Sequence, residues 1–159
     1  MIAEQEITLD KIDLTILRLL QENSRISNAD LARELNMAPS AILERVKKLE
    51  QKKVIRQYTA RLNPAPLQQK LLAFIFMKAA DGPGCNDTAK QLAKIPEVQE
   101  VHHIAGDDCY LIKVRTYDSA SLMNLMRTHF SKIPNILSTR TTIVLETKKE
   151  QQQLVIPEK

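Results

Sequence analysis

The chain has 159 residues, 43% of them hydrophobic and 26% charged, with a net charge of +4 and no tryptophan. That length suits one domain or two small ones with aliphatic cores, and only three glycines argue against a glycine-rich phosphate loop. No apolar run approaches the ~20 residues of a membrane span, the opening MIAEQEITLDKID has no apolar signal core, and Cys85 and Cys109 fit neither a disulfide framework nor a metal motif, so a cytoplasmic protein with reduced thiols is expected.

Three helix signatures come first. Asp10 can cap a helix, with Leu9 and Leu14 spaced as a hydrophobic staple and Ile12, Ile16, Leu19 and Leu20 sharing one face. In ISNADLARELN, Ser27 caps, Asp30 stands at the capping-box position, and Ile26 can staple to Leu31. The third helix, in MAPSAILERVKKLEQKKVI, opens on Pro39, whose missing N–H costs nothing in a first turn. Ile42, Val46 and Leu49 fall within about 60° on the helical wheel and must face the core. Ser40, Ala41, Glu44, Lys47, Lys48 and Gln51 fall opposite and are presented outward.

Charge is concentrated just there. From Arg45 to Arg61 there are seven cations (Arg45, Lys47, Lys48, Lys52, Lys53, Arg56 and Arg61) against Glu50 alone, or +6, which exceeds the net charge of the whole chain. A local basic patch on the second helix of a tight pair points to a helix-turn-helix and a polyanionic partner, double-stranded DNA. Ser40 and Ala41 let the backbone approach base edges, and Glu44 can accept from a cytosine amino group. Lys47, Lys48, Lys52 and Arg56 suit phosphates. Arg45, at the edge of the core face, either reaches DNA or braces the helix through a salt bridge. VIRQYTARLN then has the composition of a strand or small wing, and PAPLQQK breaks the chain with Pro64 and Pro66. The expected organisation is a DNA-binding domain over 1–63, a linker over 64–70 and a second domain over 71–159.

In that second domain LLAFIFMKA reads as a buried strand, DGPGC as a turn, and NDTAKQLAKI as a helix stopped by Pro96. VQEVHHIAG and CYLIKVRT read as paired strands around Gly106 to Asp108. A helix over 119–133 aligns Leu122, Leu125, Met126, His129, Phe130 and Ile133 on one face, with His129 expected to be packed. ILSTRTTIVLE is a threonine-rich strand. KIPEV and KIPNI repeat one helix-to-strand junction, which fits a ferredoxin-like βαββαβ sandwich whose open sheet face is free for another copy. The fold class is therefore α+β, a winged helix-turn-helix followed by that sandwich. The tail QQQLVIPEK ends in an apolar patch that adds a strand, docks on a neighbour or frays.

No catalytic constellation is present, no cofactor is called for, and adjacent His102 and His103 point to opposite faces of a strand, which does not suit one metal. The order and spacing of LDKIDLTILRLLQENSR, ERVKKLEQKKVI with YTARLNP, AGDDCYLIKV and TRTTIVLETKKE resemble the Lrp/AsnC family of transcription regulators across nearly the whole chain. The resemblance implies operator binding, dimers and larger homo-oligomers, and an amino-acid effector at the turn of Ala105, Gly106, Asp107, Asp108 and Cys109. Two departures stand out: the family usually has glycine at the places of Lys53 and Gln68, and the residues Ala105, Asp108 and Cys109 replace its usual hydroxyl, aromatic and second aspartate. Lys53 would strain a turn that favours positive φ. Two alternatives share the architecture: a sirohaem-decarboxylase-like enzyme, which the histidine pair keeps open, and a DNA-architectural protein with little sequence preference.

Overall fold

The computed structural model describes residues 7–82 and 86–158. The chain forms two compact units: one runs to Arg61 and takes back the residues from Glu150, and the other spans Leu62–Lys149.

The first unit holds α1 (Lys11–Glu22), α2 (Asn28–Glu34) and α3 (Pro39–Gln51). Asp10 accepts the Asp13 N–H at 2.8 Å while Asp13 accepts that of Asp10 at 3.3 Å, so two orphan donors of α1 are satisfied reciprocally. Ser27 accepts the Asp30 N–H at 3.0 Å and starts α2. Proline opens α3 as its sequence requires, without a side-chain cap. Ile16, Leu31 and Ile42 are fully buried where the three helices meet, with Val46 and Leu49 beside them. The apolar stripe of α3 therefore anchors the helix, and its polar face points away.

Both α2 and α3 end in the same left-handed cap. Asn36 (φ 51°) follows α2, with Met37 N–H donating to Ala32 at 2.9 Å. Lys53 (φ 59°) follows α3, with Val54 N–H donating to Leu49 at 2.9 Å and Lys53 N–H to Glu50 at 2.9 Å. These are the paired bonds of a Schellman motif, and Val54 packs in the same cluster as Leu49. The motif recurs in the second unit at Gln68 (φ 57°), where Gln69 N–H donates to Pro64 at 2.9 Å.

Two expectations fail here. The strand or wing anticipated from Val54 to Asn63 does not form: Arg56 to Asn63 are exposed, and among the described residues no strand pairs with them. The tail, expected in the second domain, groups from Glu150 with the first unit. Gln21 donates to the Leu154 carbonyl at 3.0 Å and accepts its N–H at 2.8 Å, while Gln153 donates to the Gln21 carbonyl at 2.8 Å. One glutamine side chain thus pairs with the tail as a backbone amide would.

The second unit contains β1 (Leu71–Ala79), α4 (Asp87–Leu92), β2 (Val98–His103), β3 (Tyr110–Thr116), α5 (Ser119–Thr128) and β4 (Ile136–Ile143), with a 3-10 turn at Phe130–Lys132. The sheet order is β2-β3-β1-β4, antiparallel throughout, as a ferredoxin-like βαββαβ fold requires. Alternation puts Ala73, Ile75 and Met77 opposite Val114, Ile112 and Tyr110, under Leu92, Leu122, Leu125 and Phe130. Ile95 and Ile133, the isoleucines of the repeated KIP junctions, are both buried in this core. Asp81, just past β1, accepts from Thr88 Oγ1 and Tyr110 OH at 2.8 Å and from Asn135 Nδ2 at 2.9 Å, tying four elements together. Burial pushes its carboxyl pKa up, but those three donors win and hold it below the ordinary 3.8. His129, expected to be packed, is exposed, because α5 ends at Thr128 and the chain tightens into the 3-10 turn. The DGPGC turn, with Cys85, lies partly outside the described residues. Among those described, no helix is long and apolar enough to cross a membrane.

Candidate nucleic-acid interface

Burial of Ile42, Val46 and Leu49 fixes the rotation of α3, and rotation decides which side chains reach outward. Ser40, Glu44, Lys47 and Lys48 are exposed, as are Lys52 and Arg56 beyond the last turn, and Ala41 is half-buried. Ala41, Glu44, Arg45, Lys48 and Lys52 line one open groove of about 380 Å³, with Leu9 on its far wall. Ser40 and Lys47 lie outside that groove. Lys48 pairs with Glu44 at 3.0 Å across one turn, an exposed contact that either partner can exchange for DNA at small cost.

Arg45 is held differently. Its Nη1 lies 2.7 Å from Asp10 Oδ2 and 2.8 Å from Asp13 Oδ1, the two residues that cap α1. The Asp13 N–H and the Arg45 guanidinium hold the Asp10 carboxyl below its ordinary 3.8, and the two carboxylates in turn raise the Arg45 pKa above its ordinary value. Of the two roles open to Arg45 from sequence, the geometry is that of a brace fixing α3 to the start of α1.

The turn between β2 and β3 sorts its residues as well. Gly106 has φ 148°, a backbone that side chains rarely adopt, and open space surrounds its Cα, so conformation alone explains glycine there. Ala105 and Asp107 are exposed on the rim. Asp108 is engaged by Arg140 at 3.0 Å, and the Arg140 guanidinium stacks 4.2 Å above the Phe76 ring. The Cys109 thiol turns inward and donates to the Ala79 carbonyl at 3.5 Å, packing on the core. Sequence reasoning missed Arg140 and Phe76 because sheet pairing, Phe76 opposite Arg140, brings them together from distant positions. The visible signal was a lone arginine in a threonine-rich strand.

A family model described as the AsnC-type helix-turn-helix domain matches residues 9–50, and one described as the Lrp/AsnC ligand binding domain matches residues 72–154. The chain belongs to the Lrp/AsnC family. The leucine-responsive regulatory proteins of Salmonella typhimurium and Escherichia coli are each 38% identical to it over 152 residues, covering 93% of this chain and 92% of theirs. A transcriptional regulator from Neisseria meningitidis, solved in complex with L-Met, aligns at a TM-score of 0.84 and 30% identity, over 93% of this chain and 97% of that one. Escherichia coli AsnC aligns at a TM-score of 0.84 and 26% identity, over 95% and 100%. This Lrp/AsnC protein is a DNA-binding transcription regulator, and α3 is its recognition helix by position in the motif.

The histidine pair of this regulator is occupied otherwise. His102 Nε2 lies 3.0 Å from Glu100, which also meets Lys113 at 3.3 Å, whereas the His103 ring packs 5.3 Å from that of Tyr110. The two side chains diverge, as adjacent strand positions must.

Proposed function

We propose that the protein reads operator DNA through α3 as a dimer or multiple of dimers in the cytoplasm, acting as a regulator and not an enzyme. Ser40, Ala41 and Glu44 meet base edges in the major groove, while Lys47, Lys48, Lys52 and Arg56 bind phosphates. Arg45 contributes by holding the helix at a fixed angle. The observation that carries this reading is the exposed basic face of α3, locked in orientation by a buried apolar stripe on one side and the Arg45 brace on the other.

A second copy covers the open sheet face, where Phe74, Phe76 and Leu111 are only half-buried. A small molecule, an amino acid by analogy with the L-Met complex of the Neisseria relative, binds at the rim of Ala105, Gly106, Asp107 and Asp108, with Cys109 supporting the turn from inside. Asp108 and Arg140 together offer one anionic and one cationic group to a zwitterion. The ligand alters DNA affinity only through a preference for one assembly or domain arrangement.

The test is a salt titration of binding to DNA from the gene's own upstream region, with random DNA as control. If a dimer neutralises about six phosphates, log K falls against log salt with a slope of about −5. Clear preference for the upstream fragment supports a sequence-reading regulator. Equal affinity points to an architectural protein, and no binding at low salt refutes the interface.

A further inference from the structure

The outward half of α3 carries two ridges at helical spacing. Ala41, Glu44 and Lys48 form one, on the wall of the open groove beside Arg45. Ser40, Leu43 and Lys47 form the other, outside that groove. Leu43 is 41% exposed, and it is the only leucine, isoleucine or valine of α3 that is not buried. It belongs neither to the core of the first unit nor to the side chains packed on that core. A single exposed leucine is ordinary on a protein surface. This one stands between Ser40 and Lys47 on the recognition helix.

Helix and groove have matching widths: an α-helix with its side chains is about 10–12 Å across, and the major groove is about 12 Å wide. Side chains on both ridges are therefore desolvated when α3 enters the groove. Leucine has nothing to offer a phosphate or a base-edge donor or acceptor, and covering one would strand its hydrogen bond. The one apolar group that the major groove displays is the C5-methyl of thymine.

We propose that Leu43 is a specificity-determining residue that packs on a thymine methyl, so that each operator half-site holds a thymine at a fixed place opposite it. The inference rests on the reading of α3 as the helix that meets base edges. Fragments of the gene's own upstream region, synthesised with thymidine or with deoxyuridine throughout, are titrated with the full chain, with random-sequence DNA as control. The two upstream fragments differ only in their methyl groups. Burying one methyl is worth about fourfold in affinity, so a dimer on two half-sites should prefer the thymidine fragment by about fifteenfold. Leu43→Ala should bind both fragments alike, and Leu43→Met, which keeps an apolar contact, should restore most of the preference. Neither variant touches the core, and alanine is the strongest helix former. The salt slope should be the same in all three proteins, because no charge changes. Equal binding of both upstream fragments, each above random DNA, would overturn the role of Leu43 and leave α3 a base reader. An unchanged preference for thymidine in Leu43→Ala would assign the methyl to another side chain and overturn it as well. Upstream DNA bound no better than random DNA would instead refute base reading by α3, and the proposal with it.

Discussion

Lys53→Gly should make the first unit more stable although it removes a charged side chain. Lys53 sits at φ 59° in the cap of α3, where a side chain costs about 1–2 kcal/mol. Glycine returns that strain but loses about 0.5–1 kcal/mol more backbone entropy on folding, so the net gain is about 0.5–1 kcal/mol. In a unit of about 70 residues that corresponds to roughly 2–8 °C in Tm. Lys53→Ala is the control: it loses the same charge and keeps a Cβ in the left-handed region. Hydrogen exchange at the Val54 and Ile55 amides, both bonded to the Leu49 carbonyl, reads the cap directly. The expected order is glycine slowest to exchange, with lysine and alanine close together. DNA affinity should fall alike in both variants, since each removes one cation. Asn36→Gly, at φ 51°, should gain less, because asparagine tolerates this region. A glycine variant no more stable than the alanine variant would refute strain at this cap.

Arg45→Met should destabilise the first unit by about 1–2 kcal/mol through loss of a two-carboxylate contact that is only part-exposed, measured as faster exchange in α1 and α3; an unchanged fold with weakened DNA binding would instead make Arg45 a DNA ligand. Asp81→Ala should cost about 1–3 kcal/mol by removing the acceptor that the buried Thr88 and Tyr110 hydroxyls share, and denaturant unfolding measures it. The Asp81 carboxyl titrates below its unfolded value, so its stabilisation is complete above about pH 4 and is lost as pH falls through the folded pKa; Asp81→Asn should flatten that acid limb. Tyr58, whose ring is partly desolvated and whose hydroxyl donates to Glu50 at 2.9 Å, has its pKa pushed up to about 12, so in a spectrophotometric titration Glu50→Gln should make one late phenol titrate earlier. Its contribution is full below pH 10 and fades as pH rises through 12.

Local physics made most elements legible. Asp10 and Ser27 start helices because their side chains answer orphan N–H groups a few residues away, and the stripe of Ile42, Val46 and Leu49 states which face of α3 is left exposed. Strand alternation and the twin KIP junctions gave the βαββαβ order for the same reason: period and punctuation are short-range signals. The run of cations from Arg45 to Arg61 is likewise visible in the sequence itself.

What the sequence could not decide were events set by distant partners. Whether Val54 to Asn63 becomes a strand depends on a neighbouring edge, and there is none among the described residues of the first unit. Arg45 looks like its lysine neighbours until Asp10 and Asp13, over thirty positions away, are folded against it. The tail's choice of Gln21, the turning inward of Cys109 and the meeting of Asp108 with Arg140 are likewise long-range contacts. A side chain's intrinsic chemistry lists the roles it is able to play, and the packing of remote segments selects one, because desolvation and ion pairing depend on what lies within a few ångströms in space.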